Sequence, residues 1–254
     1  MRILIITQDD PFYLAENFQF LLDNLPNGSE VVGAIRLKVS PFGKRLPLLD
    51  QALRTYKTFG ARFFFYYSLR FGAAKLGFTK RVDSVLRNFE VPLIDVDHPV
   101  NHSSSLEAIR GLRPDLIISI AANQVFKQPL IDLAPKGCLN LHTSLLPKYR
   151  GLMPTFWVLA NNEDETGVSV FFVDEEIDNG PIIVQKRVSI GSSTQAALIK
   201  KTKAIGMECI VEAIERIQND DVNLIPNPKS EATYFSEPTR EDVERFYSAG
   251  KRFF

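Results

Sequence analysis

Short apolar runs recur along the chain at Arg2–Thr7, Glu30–Leu37, Pro92–Val96, Asp115–Ile120, Cys138–His142, Gly167–Val173 and Ile182–Val188. Runs such as Leu116–Ile120 lack the strict alternation of a strand with one wet face, so they predict strands buried on both sides. Between the runs, Leu14–Leu25, Ser104–Leu112 and Gln195–Gln218 carry apolar residues at helical spacing. Strands that alternate with helices predict an α/β fold built on a doubly wound, mainly parallel sheet. The last two strands are joined by a short Asp/Glu/Asn/Gly stretch, which allows a break in the parallel pattern.

Two segments depart from this rhythm. Residues 36–81 hold 11 basic side chains against one acid, Asp50, together with the aromatic run Phe63-Phe64-Phe65-Tyr66-Tyr67. The spacing of Leu53, Tyr56, Tyr67, Leu69 and Phe71 predicts one or two amphipathic helices there. From Asn219 the composition turns to Asn, Pro and Ser, and a last helical stretch, Arg240–Ala249, ends at Gly250. The organisation expected is a main domain over residues 1–218, a basic aromatic helical insertion at about 36–81, and a tail, 219–254, too short to fold by itself.

Composition narrows the classes. At 254 residues and 45% hydrophobic, the chain can bury a large core, and bulk disorder is excluded. The 30 basic and 30 acidic side chains cancel, which argues against a protein coated by nucleic acid, and no stable nucleic-acid partner is expected. The cancellation hides unlike parts: +10 within residues 36–81 and −10 elsewhere. That segment is either an insertion whose aromatic face packs on the core, or a surface for RNA, a nucleotide diphosphate or an anionic membrane. Cys138 and Cys209 show no CxxC spacing, which suits a reducing compartment and inert thiols. The N-terminal MRILIITQDD reads as a first strand rather than a signal peptide, and no apolar run approaches the ~18 residues of a membrane span. A cytoplasmic protein is expected.

Several familiar signals fail. The turn Gln8-Asp9-Asp10-Pro11-Phe12 carries two carboxylates where a dinucleotide fold needs glycines. Gly72 and Gly77 have P-loop spacing, but Phe78 stands where the phosphate-binding lysine belongs. His98 and His102 are spaced like zinc ligands on a helix, yet Pro99 opposes a helix between them, and they read as loop residues beside a helix start. No metal site is expected.

One stretch is dense in polar groups where a buried strand emerges: Asn140-Leu141-His142-Thr143-Ser144-Leu145-Leu146-Pro147-Lys148-Tyr149-Arg150-Gly151. On a strand, Asn140 and His142 share a face at the carboxyl edge, where open α/β sheets hold ligands. An amide donor beside a titratable imidazole suits acyl transfer, with donors for a tetrahedral oxyanion and a base for the attacking group. On these residues alone a satisfied strand-end histidine fits equally well. Downstream, Asp178 of Asp178-Asn179-Gly180 could orient His142, although the run from Asp174 to Asp178 also fits a solvated acidic turn.

The stretch NLHTSLLPKYRG followed by ETGVSVFFVDEEIDNG resembles the folate-dependent formyltransferase family, whose signature is N-x-H-x-S-x-L-P with a later D-x-G aspartate. The family includes glycinamide ribonucleotide transformylase, methionyl-tRNA formyltransferase and amino-sugar N-formyltransferases. The likeness is strong from about Asp115 to Val188. It implies a Rossmann-like fold, 10-formyltetrahydrofolate as formyl donor and a primary amine as acceptor. It further implies that Asn140 donates to the oxyanion, that charged His142 stabilises it, and that Asp178 holds His142 and helps relay the amine proton. The pterin would lie between Ala122, Asn123, Gln124, Val125 and Phe126 on one side and Val173, Asp174, Glu175, Glu176 and Ile177 on the other. Ser144, Leu146 and Pro147 would shape the loop, and Arg150 is either a surface charge or an acceptor contact.

The same resemblance ranks acceptors. The first turn lacks the glycines that the ribonucleotide enzyme uses for its phosphate, and 36 residues after Gln218 are too few for the OB-like domain of the tRNA enzyme. A nucleotide-linked amino sugar is therefore expected first. A methionyl-tRNA or glycinamide ribonucleotide acceptor is the alternative, and a non-catalytic RNA-binding relative is the rival of a different class. A homodimer is compatible with the family.

Overall fold

The computed structural model describes residues 1–8, 10–37 and 47–254. Asp9 of the first turn, and Lys38, Lys44 and Arg45 of the basic segment, lie outside the described residues.

Strand β1 (Arg2–Gln8) sits centrally between β2 (Glu30–Leu37) and β4 (Leu116–Ile120), with β3 (Leu93–Ile94) outside β2 and β5 (Cys138–His142) beside β4. These five strands run parallel. After the short β6 (Arg150–Gly151), β7 (Glu165–Phe172) pairs antiparallel with both β5 and β8 (Ile182–Ser189), so the direction reverses twice, once between β5 and β7 and again at the short acidic connection between β7 and β8. Successive residues of β1 enter different cores, Ile3 and Ile5 one and Leu4 and Ile6 the other. Burial on both faces removes any need for alternation along this strand.

Helices α1 (Leu14–Asp23), α3 (Val82–Asn88), α6 (Pro154–Ala160) and α7 (Gln195–Gln218) feed the larger core. The smaller core, on the other face, takes Ile109 of α4 (Ser103–Leu112) and Leu130 of α5 (Gln128–Ile131). His102 is the N-cap of α4, its side chain accepting from Ser104 N, and its ring stacks on His98. In the first turn the Asp10 carboxylate accepts from Phe12 N and Tyr13 N and lies 3.9 Å from Lys203 of α7, so it is held inside the protein.

Helix α2 (Leu48–Lys75) is broken at Gly60, where φ is +81°, giving two arms. Its inner side belongs to the body: Phe59 and Phe63 stand against Phe253, and Tyr66 stacks on Phe254 at 3.8 Å. The end of the chain also crosses the body. Strand β9 (Tyr234–Phe235) pairs with β6, α8 (Arg240–Ser248) begins in a Thr239/Asp242 capping box, and Phe253 packs on Phe156 and Phe246. Phe253→Ala should cost about 3–5 kcal/mol of stability, read by denaturant unfolding, because it empties the junction of α2, α6 and α8.

Among the described residues, no helix is long and apolar enough to cross a membrane. Both cysteines are buried, and burial pushes the Cys209 thiol up to about 12 and the Cys138 thiol up as well.

Candidate active site

A cavity of about 480 Å³ opens at the carboxyl edge of β4 and β5. Its walls come from three segments distant in sequence. After β4 the chain turns through Ala121, at φ +56°, into the loop that carries Ala122 to Phe126. Gln124 Oε1 accepts from Val100 N, and Val125 O accepts from Asn101 Nδ2, so the loop is tied to the entrance of α4. Phe126 is buried in the smaller core, which leaves the loop's main chain and shorter side chains at the rim.

Strand β5 supplies the second wall. Its residues alternate: Leu139 and Leu141 enter the larger core and Cys138 the smaller, so Asn140 and His142 share the face of the sheet that opens on the cavity. Asn140 lies opposite Ser119 of β4 and Phe171 of β7. Its side-chain amide has no hydrogen-bond partner among the described residues.

The imidazole of His142 is buried, and its Nε2 lies 2.7 Å from the carbonyl oxygen of Tyr149. A carbonyl can only accept, so Nε2 must carry hydrogen. The exchangeable position is therefore Nδ1, which faces Asp178 Oδ2 at 3.6 Å. That gap is too long for a direct hydrogen bond, and a single water or a substrate atom can bridge it. Tyr149 is itself anchored: its hydroxyl donates to Glu163 Oε1 at 2.6 Å, and its phenol is pushed up to about 12 by burial and by that bond. Below, Ser169 Oγ donates to Ser144 O, Gln185 Nε2 donates to Leu146 O, and the Leu146–Pro147 peptide is cis. The S-x-L-P loop is thus fastened to β7 and β8.

The third wall is the acidic turn. Asp174 accepts from Glu176 N and from Asn179 Nδ2, closing the turn on itself. Asp178 adopts φ +51°, and its Oδ2 accepts from Gly151 N at 2.8 Å. Gly180 has to be glycine: a Cβ there would stand 1.7 Å from Phe172 O.

Of the residues expected from sequence, Asn140, His142, Asp178, Ala122, Asn123, Gln124, Val125, Phe126, Val173, Asp174, Glu176 and Ile177 all line this cavity. Glu175 does not: its Oε1 accepts from Gln128 N at the start of α5, because its neighbours in the turn face inward. Arg150 is neither a surface charge nor free for an acceptor. It is buried and donates to Asn179 Oδ1 and to Asn227 Oδ1 and O, joining the acidic turn to residues 219–254. Removing a charged donor from such bonds costs about 1.5–3 kcal/mol, so Arg150→Ala should lower stability by that amount in urea unfolding.

Sequence reasoning missed Gln8, Met153, Pro154 and Glu237 as lining residues. Glu237 carried no local signal, since it enters from the far end of the chain, where its carboxylate pairs with Arg54 of α2. Four carboxylates, Asp174, Glu176, Asp178 and Glu237, line the described wall; Glu176 pairs with Lys229 and Glu237 with Arg54 behind it, and no lysine or arginine is itself among the described lining residues. Such a wall favours a cationic or neutral amine over a phosphate.

Residues 89–214 match the family described as "Formyl transferase". Over this segment, just under half of the chain, the sequence matches the formyl transferase family. Among curated proteins, methionyl-tRNA formyltransferase of Kosmotoga olearia is 38% identical over 163 residues, which is 64% of this chain and 52% of that protein. The chain spans about half the length of the curated relatives it matches. Among solved structures, phosphoribosylglycinamide formyltransferase from Bacillus halodurans superposes with a TM-score of 0.61 at 19% identity, over 88% of this chain and 98% of that one. A sugar N-formyltransferase from a Shewanella species gives 0.60 at 16% identity, over 97% and 87%. At these identities the structural matches establish the shared fold: a mixed α/β architecture with a mostly parallel central sheet.

Proposed function

We propose that this chain moves a formyl group from 10-formyltetrahydrofolate to a primary amine. The observation that carries the reading is the convergence of a free amide, an imidazole with one nitrogen pinned, and a carboxylate on one cavity of a formyl transferase fold. The cavity, at about 480 Å³, is within the range of cofactor-sized sites. Its two flanking loops suit a flat, amide-rich ring system: Ala122 to Phe126 on one side and Val173, Asp174, Glu176 and Ile177 on the other. The donor would supply an activated formyl carbon.

The chain's own groups would do the rest. Asn140 Nδ2 donates to the formyl oxygen as negative charge develops there. His142, its Nε2 held by Tyr149 O, offers Nδ1–H to the same charge. Asp178, fixed by Gly151 N, balances the imidazolium and relays the amine proton through a bridging water to the folate nitrogen, whose bond to the formyl carbon breaks as the new carbon–nitrogen bond is kept and tetrahydrofolate leaves. The carboxylate-rich wall keeps the attacking amine close.

The acceptor is the finer question. The curated relatives at 35–38% identity are methionyl-tRNA formyltransferases, which supports an aminoacyl-tRNA acceptor ahead of the nucleotide-linked amino sugar expected from sequence. The sugar reading keeps support from residues 233–254, which resemble the tails of polysaccharide-pathway formyltransferases and contribute Glu237 to the cavity. The test is release of tetrahydrofolate from 10-formyltetrahydrofolate with methionyl-tRNA, glycinamide ribonucleotide or a panel of nucleotide amino sugars. Amine-dependent release with methionyl-tRNA is expected. Turnover with the sugars alone would reverse the ranking, and no amine-dependent release with any of them would end the formyl-transfer reading.

A further inference from the structure

Helix α2 has a second surface that the site does not use. At ~100° per residue, Phe65, Leu69 and Leu76 form one stripe on the arm after Gly60, and Phe63 and Arg70 lie on the opposite side, toward the body. On the arm before Gly60, Leu49, Leu53 and Tyr56 form a stripe of the same kind. Leu49 is 83% exposed, Leu69 76%, Leu76 77%, and Phe78, just past the helix, 79%. Large apolar side chains scattered singly are ordinary on a surface, but aligned stripes of them mark contact with something apolar. Exposed Lys57, Arg62 and Lys75 accompany them. Of the seven basic side chains in residues 47–81, Arg54 pairs with Glu237, Arg70 turns to Tyr13 and Arg81 lies 4.0 Å from Asp83, so Lys57, Arg62, Lys75 and Lys80 carry the outward charge against one acid, Asp50.

From this combination we infer that the outer side of α2 docks the protein peripherally on an anionic membrane surface. Apolar side chains would enter the headgroup boundary, and the lysines and arginines would meet lipid phosphates, the two signals that reversible interfacial attachment needs. Charge selects this occupant. A second copy meeting the same patch across a two-fold axis would face its own positive charge. Stacking on single-stranded RNA would use the rings of Tyr56, Phe65 and Phe78 but leave the interspersed Leu49, Leu53, Leu69 and Leu76 without a partner, whereas an apolar headgroup boundary accepts both kinds of side chain. Arg54 carries the surface to the cavity, since it pairs with Glu237 on the cavity wall. The inference does not depend on which amine is the acceptor.

The full chain can be sedimented with phosphatidylcholine vesicles made with and without phosphatidylglycerol. The expected result is binding to the anionic vesicles only, weakened by salt. Lys57→Ala and Lys75→Ala should each weaken it about fivefold, and Leu69→Glu with Leu76→Glu should abolish it. Circular dichroism and formyl transfer should stay unchanged in these variants, because none of the four residues lines the cavity. Failure to bind anionic vesicles would overturn the proposal. So would a concentration-dependent dimer, or salt-sensitive binding of tRNA, that the two leucine substitutions abolish while vesicle binding persists.

Discussion

Replacing Asn140 with alanine is expected to lower kcat/KM for formyl transfer by about 10²–10³-fold, the usual consequence of losing one oxyanion donor. The expectation is sharp because the Asn140 amide bonds to no other described residue. Its loss leaves no buried donor or acceptor unpaired, so the thermal midpoint should barely move while turnover collapses. A structural asparagine would give the reverse pattern, with lower stability and near-normal activity in the folded fraction. Steady-state kinetics combined with a thermal scan separates the two. Wild-type turnover in a folded Asn140→Ala protein would remove this residue from the mechanism.

The second large effect is expected at Asp178. Asp178→Asn keeps an oxygen to accept from Gly151 N, and asparagine tolerates the positive φ of this position. The main-chain carbonyl of residue 178 still accepts from Asn227 Nδ2. The turn should therefore hold, and the change removes only charge and basicity opposite His142 Nδ1. Loss of a positioned proton acceptor typically costs about 10²–10⁴-fold, and it should fall on kcat with little change in KM for the folate donor. A rise in KM at constant kcat would instead make Asp178 a binding residue.

Much of the architecture was readable because its cause is local. The strands from Glu30 to Leu37 and from Cys138 to His142 were expected with the same bounds that the structure has. Each is a short run of β-formers ended by a polar or turn-forming residue. The N-x-H pair was legible because a strand's period of two puts both side chains on one face. Other features were not legible, because the partner that decides them is far away in sequence. Local sequence leaves Arg150 between two roles, because its partners Asn179 and Asn227 lie 29 and 77 residues downstream. Glu175 was grouped with its neighbours, but the bonding of Asp174 to Glu176 and Asn179 turns the run so that Glu175 meets α5.

What the chain determined by itself is the alternation of buried strands with amphipathic helices, the placing of Asn140 and His142 at a sheet edge, and the glycine-bearing turn that carries Asp178. Hydrophobic period and backbone preference act over a few residues and need no knowledge of the rest. Only the tertiary structure decided that β7 runs against β5, that Nε2 of His142 is committed to Tyr149 O, and that Glu237 completes the cavity wall. It also decided that α2 keeps one side on Phe253 and Phe254 and, among the described residues, leaves large apolar side chains of the other exposed. Such choices depend on which distant groups remain to be satisfied once the core has formed, and that is a property of the packed molecule.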